Sequence, residues 1–154
     1  MEEKMEEITK RIKNNFDAEI PKDLDFEIRN DRIYAFKKEI KNLYEFLKSK
    51  NVRLEKLGIY FGRLKRNDKI QLSIEGAQII GKTAKKNVIE INDMETLKRF
   101  LKEEISLSID NFKNIEKHNF PIVKYRNYII TAAASLDEEI KSLFPKNAKK
   151  LLYE

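Results

Sequence analysis

All four glycines of this 154-residue chain, Gly58, Gly62, Gly76 and Gly81, fall between residues 57 and 82, in "LGIYFGRLKRNDKIQLSIEGAQIIGK". A chain with so few residues free of a Cβ is expected to make its close backbone approaches there, because only glycine brings backbone against backbone without a steric cost. Gly58 and Gly62 stand four apart, which on a regular strand puts both on one face and Leu57, Ile59 and Phe61 on the other. A helix pressed onto a sheet, or a bulge, accounts for such a pair, and so does the close approach of a ligand.

The same stretch is electrically unlike its surroundings. Residues 1–50 hold 12 basic and 12 acidic side chains, residues 51–86 hold 9 and 3, and residues 87–154 hold 11 and 11, so the formal charge of +6 arises in the middle. Lys141, Lys146, Lys149 and Lys150 form a second run with no acid between them. Two local basic patches suit a polyanion, although basic runs also serve as solvated surface.

Apolar spacing divides the chain into two units. Met5, Ile8, Ile12 and Phe16 mark an amphipathic helix ending before Pro21, "DLDFEI" and "IYAF" a hairpin over 24–36, and Ile40, Leu43, Tyr44 and Leu47 a second helix. "LGIYFGRLK" and "IQLS" make a strand pair across Asn67 and Asp68, and "IEGAQIIGK" a short helix with Gly81 near its C-cap. The pattern restarts with the strand "NVIEI" and a helix capped by Asp93, with Met94, Leu97 and Leu101 on one face and Phe100 beside them. Short strands and loops follow over 105–120, then "PIVKY" and "YIITAAAS" pair across Arg126 and Asn127, and Leu151 and Leu152 return to the sheet. The expected fold is α+β: an α/β domain with a small antiparallel sheet over 1–85, then a β-rich domain over 86–154.

Several chemistries are excluded. No Cys and one His, His118, leave no thiolate or histidine-rich metal site and no cysteine nucleophile. No run of about 18 apolar residues spans a bilayer and no apolar leader follows "MEEKMEEITK", so a cytoplasmic protein without a membrane partner is expected. The string G-x-x-x-x-G-K-T occurs from Gly76 to Thr83, yet a phosphate-binding loop joins a buried strand to a long following helix, and here a strand follows. His118 reads as a loop residue, and the acids, such as Asp137, Glu138 and Glu139, as solvated, so neither an enzyme nor a cofactor is expected.

"NDRIY", "LGIYFGRL", "KIQLSIEGAQIIG" and "NVIEI", in that order, resemble the two-domain ribosome-biogenesis factors that join an α/β pre-PUA domain to a C-terminal PUA domain, the pseudouridine synthase and archaeosine transglycosylase fold. The resemblance runs from about residue 29 to 104 and continues more weakly in "LFPKNAKK". It implies a pre-PUA domain, a PUA-like pseudobarrel, and a non-catalytic role in large-subunit pre-rRNA processing. Two departures stand out: Lys102 and Glu103 follow the helix where the family has a Gly nearby, and Ala132, Ala133 and Ala134 occupy the place of a Gly-x-Gly on a late strand.

On that reading RNA is held by Lys141, Lys146, Lys149 and Lys150, assisted by Arg126, through phosphate contacts with little base choice. Arg63, Lys65, Arg66 and Lys69 at the hairpin tip form a secondary basic patch, open to phosphate, an acidic protein or solvent alone. Tyr125 and Tyr128, flanking Arg126, are placed to stack on unpaired bases or to fill a sheet face. Ribosome-assembly proteins would dock on the first domain. A protein-interaction adaptor with weak or lost RNA binding is the alternative, and a small G-K-T nucleotide-binding protein a further one.

Overall fold

The computed structural model describes residues 2–51 and 58–145. Leu57, the terminal lysines Lys146, Lys149 and Lys150, and the expected return of Leu151 and Leu152 lie outside them. The fold is α+β with two sheets. Helix α1 (Glu2–Phe16) precedes the hairpin β1 (Leu24–Arg29) and β2 (Arg32–Lys37), and α2 (Lys41–Ser49) precedes β3 (Ile59–Leu64), β4 (Ile70–Leu72) and α3 (Ile74–Ile80). The second half runs β5 (Val88–Glu90), α4 (Met94–Leu101), β6 (Leu107–Ser108), β7 (Ile122–Tyr125), β8 (Tyr128–Ser135) and β9 (Glu139–Ser142). Strands β1-β2-β3-β4 form an antiparallel sheet, and β5-β7-β8-β9-β6 a larger one curled into a half-barrel, in which only β5 and β7 pair in parallel. Among the described residues no helix is long and apolar enough to cross a membrane.

The expected stripe of α1 is buried: Ile8, Ile12 and Phe16 lie against Phe26, Ile33, Phe61 and Ile70 of the first sheet. Each such side chain contributes roughly 1.5–3 kcal/mol by leaving water. The opposite face of that sheet carries α2, where Tyr44 stacks on Phe36 with ring centroids 4.0 Å apart and Lys48 bonds the buried Glu27 at 2.6 Å. The first core does not stop at residue 86. Ile122 of β7 and Ala132 of β8 belong to it, with Val88 and Ile129 packed alongside, while Val123 and Ala133 on the other face of the same strands join Ile89, Phe100 and Ile140 in a second core under α4. Strands β7 and β8 are therefore apolar on both faces, and α3 lies between β3 and β8.

Two expectations need correction, those on the glycine pair of β3 and on Met94. Gly58 and Gly62 do not share a face: a bulge lets Phe61 and Gly62 together oppose Ile33, turning Gly62 toward Leu72 while Gly58 stays beside Tyr34. Gly81 is the C-cap of α3 as expected, with a φ of −60° and its place against Ile129. Met94 is 44% exposed, and the buried stripe of α4 is Leu97, Phe100 and Leu101. The segment around Lys141 is β9, whose lone apolar residue Ile140 is fully buried.

Glycine supplies no left-handed residue in this protein. Among the described residues ten have positive φ, none of them glycine, and all but Glu103, His118 and Arg126 are Asn or Asp, whose short polar side chains tolerate that region. Glycines are kept for contact. A Cβ on Gly76 would sit 2.0 Å from the Phe61 carbonyl oxygen, and one on Gly62 2.5 Å from that of Gln71. Helix α3 starts where Ser73 accepts the Gly76 N–H at 2.9 Å, and Asp93 caps α4 by accepting the Thr96 N–H and hydroxyl, bonds that hold its carboxyl below the ordinary value.

At the other end of α4 the Glu103 N–H bonds the Phe100 carbonyl and the Glu104 N–H that of Arg99, with Glu103 at φ 62°. This is a Schellman ending with a glutamate in the position glycine favours. Glu103 thus occupies a left-handed site that glycine would fill at less cost. The alanines Ala132 to Ala134 lie in regular strand without positive φ, so that site asks for smallness alone.

Candidate nucleic-acid interface

The basic hairpin tip between β3 and β4 is largely engaged within the protein. Arg63 Nε lies 3.0 Å from an Asp31 carboxylate oxygen, Lys69 Nζ bonds Glu116 at 3.2 Å, and Lys65 Nζ sits 5.7 Å from the Phe120 ring centroid. Beneath it, Arg11 of α1 donates from Nη1 to the Lys65 and Lys69 carbonyls at 2.8 and 2.6 Å and from Nε to Glu7 at 2.7 Å. Asn15 donates to the Asp68 carbonyl and accepts from Asn119, tying the tip to both α1 and the second half. Of the four expected cations only Arg66 is classed as exposed. Arg11 and Asn15 escaped sequence reading because on a helix they look like ordinary solvated positions.

The second set of cations is not assembled as expected. Arg126 sits in the β7–β8 turn, next to the paired Tyr125 and Tyr128, whereas Lys141 pairs with Ala134, six residues further along β8. At 3.3 Å per residue that is about 20 Å. Lys141 lines a cleft of about 640 Å³ together with Glu103, Glu104 and Glu139. Among its described lining residues three carboxylates stand to one ammonium, a poor balance for holding phosphate.

The turn itself has different surroundings. Arg126 has φ 54°, left-handed for a residue that seldom adopts it, and its guanidinium lies 5.3 Å from the Tyr125 ring centroid. Tyr128 is 67% exposed, the most exposed large hydrophobic side chain among the described residues. A groove of about 470 Å³ runs beside it between α3 and the start of β8. Ile59, Ile79 and Ile129 supply its apolar surface, and Asn127 and Tyr128 line it from the turn. Glu75 and Gln78 line it from α3 beside Ile79, and Lys82 from the turn that follows the helix. Lys82 and Arg126 form no ion pair among the described residues. Nearby on β3, Tyr60 is 40% exposed, and burial pushes its phenol above the ordinary value.

Sequence reading singled out Arg126, Tyr125 and Tyr128 here but passed over Gln78, Lys82 and Asn127. Their signal was the 75, 78, 79, 82 spacing, obscured by the G-K-T string that overlaps it. Gly76 to Ile80 of that string are helix, and the N–H groups of Gly76, Ala77, Gly81 and Thr83 are bonded to Ser73, Ala77 and Ile80, which removes them from any phosphate. His118 lies in a loop with Nε2 2.8 Å from Asp137. Among the described residues no three His, Cys, Asp or Glu gather as a metal site. Comparison with models of known families finds none that matches, and comparison with curated proteins finds no match either.

Proposed function

We propose that this protein is a non-catalytic RNA-binding factor of large-subunit ribosome assembly, and that it holds an unpaired strand at the β7–β8 turn. The observation that carries the reading is Arg126 against Tyr125, next to a Tyr128 ring that is two-thirds exposed. Aromatic faces with arginine beside them are the usual platform for unstacked bases, and unpaired cations add the phosphate attraction that makes such binding salt-dependent. The ribosomal role rests on the resemblance to pre-PUA plus PUA factors. An α/β unit followed by a half-barrel sheet is compatible with it, the first sheet standing for the pre-PUA domain and the second for a PUA-like pseudobarrel. Lys141, in its acidic cleft, is left out of the phosphate contacts.

The test is a fluorescence-anisotropy titration against single-stranded oligouridine and duplex RNA, at about 50 and 200 mM salt. Single-strand binding that weakens with salt is expected, and Arg126→Glu with Lys82→Glu should weaken it at least about tenfold, since each removes a cation and adds a repelling charge. Charge reversal of Lys146, Lys149 and Lys150 together should flatten the salt slope. Salt-independent binding, or none, overturns the reading.

A second reading, the protein adaptor, is favoured by α2. Leu43 is 51% and Phe46 57% exposed on a helix whose other side packs through Tyr44. An apolar pair of this kind fits a partner protein of the assembly machinery, and binding of neither RNA would shift the balance to it.

A further inference from the structure

We infer that the groove between α3 and β8 selects the base it takes, preferring cytosine or adenine, whose pairing edge sets an amino group beside an unprotonated ring nitrogen, over uracil. The inference rests on the proposal that the protein binds single-stranded RNA and adds to it a site and a specificity.

A base needs an apolar slot, a ring or flat surface to lie on, and polar atoms at one edge. Ile59, Ile79 and Ile129 supply the slot and Tyr128 the ring, in a space of about 470 Å³, within the range of small-molecule sites. The edge is set by Glu75, Gln78 and Asn127. An ionised carboxylate only accepts hydrogen bonds, so Glu75 attracts the amino group of cytosine or adenine and repels the corresponding carbonyl of uracil. The amides of Gln78 and Asn127 each offer a donor beside an acceptor, matching the ring nitrogen next to that amino group. Lys82, in the turn that follows the helix and without a carboxylate partner among the described residues, is placed for the phosphate.

The groove is also held in shape before anything binds. Helix α3 is fixed on one side by the contact of Gly76 with the Phe61 backbone and on the other by Gly81 against Ile129, which itself lines the groove. A site whose walls are set by packing loses little freedom on binding, and a misplaced carbonyl cannot be relieved by the helix moving away. The exposed stripe can be altered without touching either contact.

Oligocytidine and oligouridine of equal length separate this inference from the one beneath it, because the two have the same backbone charge and differ at the pairing edge of the base. At neutral pH the full chain is expected to bind oligocytidine at least about fivefold more tightly, the low end of what one well-placed base contact discriminates. Glu75→Gln, a change at an exposed position, should bring the two affinities within about twofold, since the amide donates to the uracil carbonyl as readily as it accepts from the amino group. Equal binding of both oligomers by the unaltered chain overturns the base preference and leaves RNA binding standing. Binding of neither overturns both, and a preference that survives Glu75→Gln overturns the assignment to this groove.

Discussion

Gly76→Ala is expected to melt roughly 5–10 °C below the parent chain, although alanine is the better helix former by about 1 kcal/mol. The added methyl would lie 2.0 Å from the Phe61 carbonyl oxygen, which is main chain and has no rotamer to yield. Relief requires α3 to move off β3 by more than an ångström. On its far side the helix meets β8, with Gly81 already in contact with Ile129, so the displacement enters the core that both halves share. Overpacking of this kind costs typically 1–3 kcal/mol and at times more, which outweighs the propensity gain. Thermal unfolding followed by circular dichroism decides the sign. Gln78→Ala on the exposed stripe serves as control, and a melting point for Gly76→Ala at or above that of the parent would mean α3 does not rest on β3.

Arg11→Ala is expected to cost about 2–3 kcal/mol, far more than an exposed helical arginine would. Arg11 is 13% exposed and donates to two carbonyls of the β3–β4 hairpin more than fifty residues away, so its loss leaves main-chain acceptors without their donor and Glu7 without its cation. Arg11→Lys keeps the charge but not the fork, and should recover less than half of the loss. Urea unfolding measures the total, and hydrogen exchange localises it: the amides of residues 64 to 69 should exchange faster in Arg11→Ala while those of α4 do not. Were the tip simply a solvated basic turn, neither quantity would move.

These two residues mark the boundary of what the amino-acid order made legible. α1, the first hairpin, the β7–β8 pair and the capped start of α4 could be read because each is specified by neighbours three, four or two residues away: the Ile8, Ile12, Phe16 stripe, the alternation in "DLDFEI", Asp93 before Thr96. The basic tip was visible as charge, but not as a fixture, because its anchor arrives from α1 at long range. β9 was hidden since one apolar residue among charges makes no local pattern, and Ile140 is buried only because α4 and β8 enclose it. The reversal of Gly62 followed from a bulge whose second participant, Ile33, lies on another strand. In the candidate interface the aromatic turn was legible from "YRNY", whereas the α3 wall was masked by a string that also spells a phosphate loop.

The core shared across residue 86 has a kinetic consequence. Ile122, Ile129 and Ala132 complete the packing around α1 and α3, so the wall of the groove on α3 and the wall at the β7–β8 turn are two sides of one packed interior. A ligand meeting such a surface waits for no closure. Its association rate would then follow collision and charge steering alone, falling with salt and indifferent to solvent changes that slow domain motion.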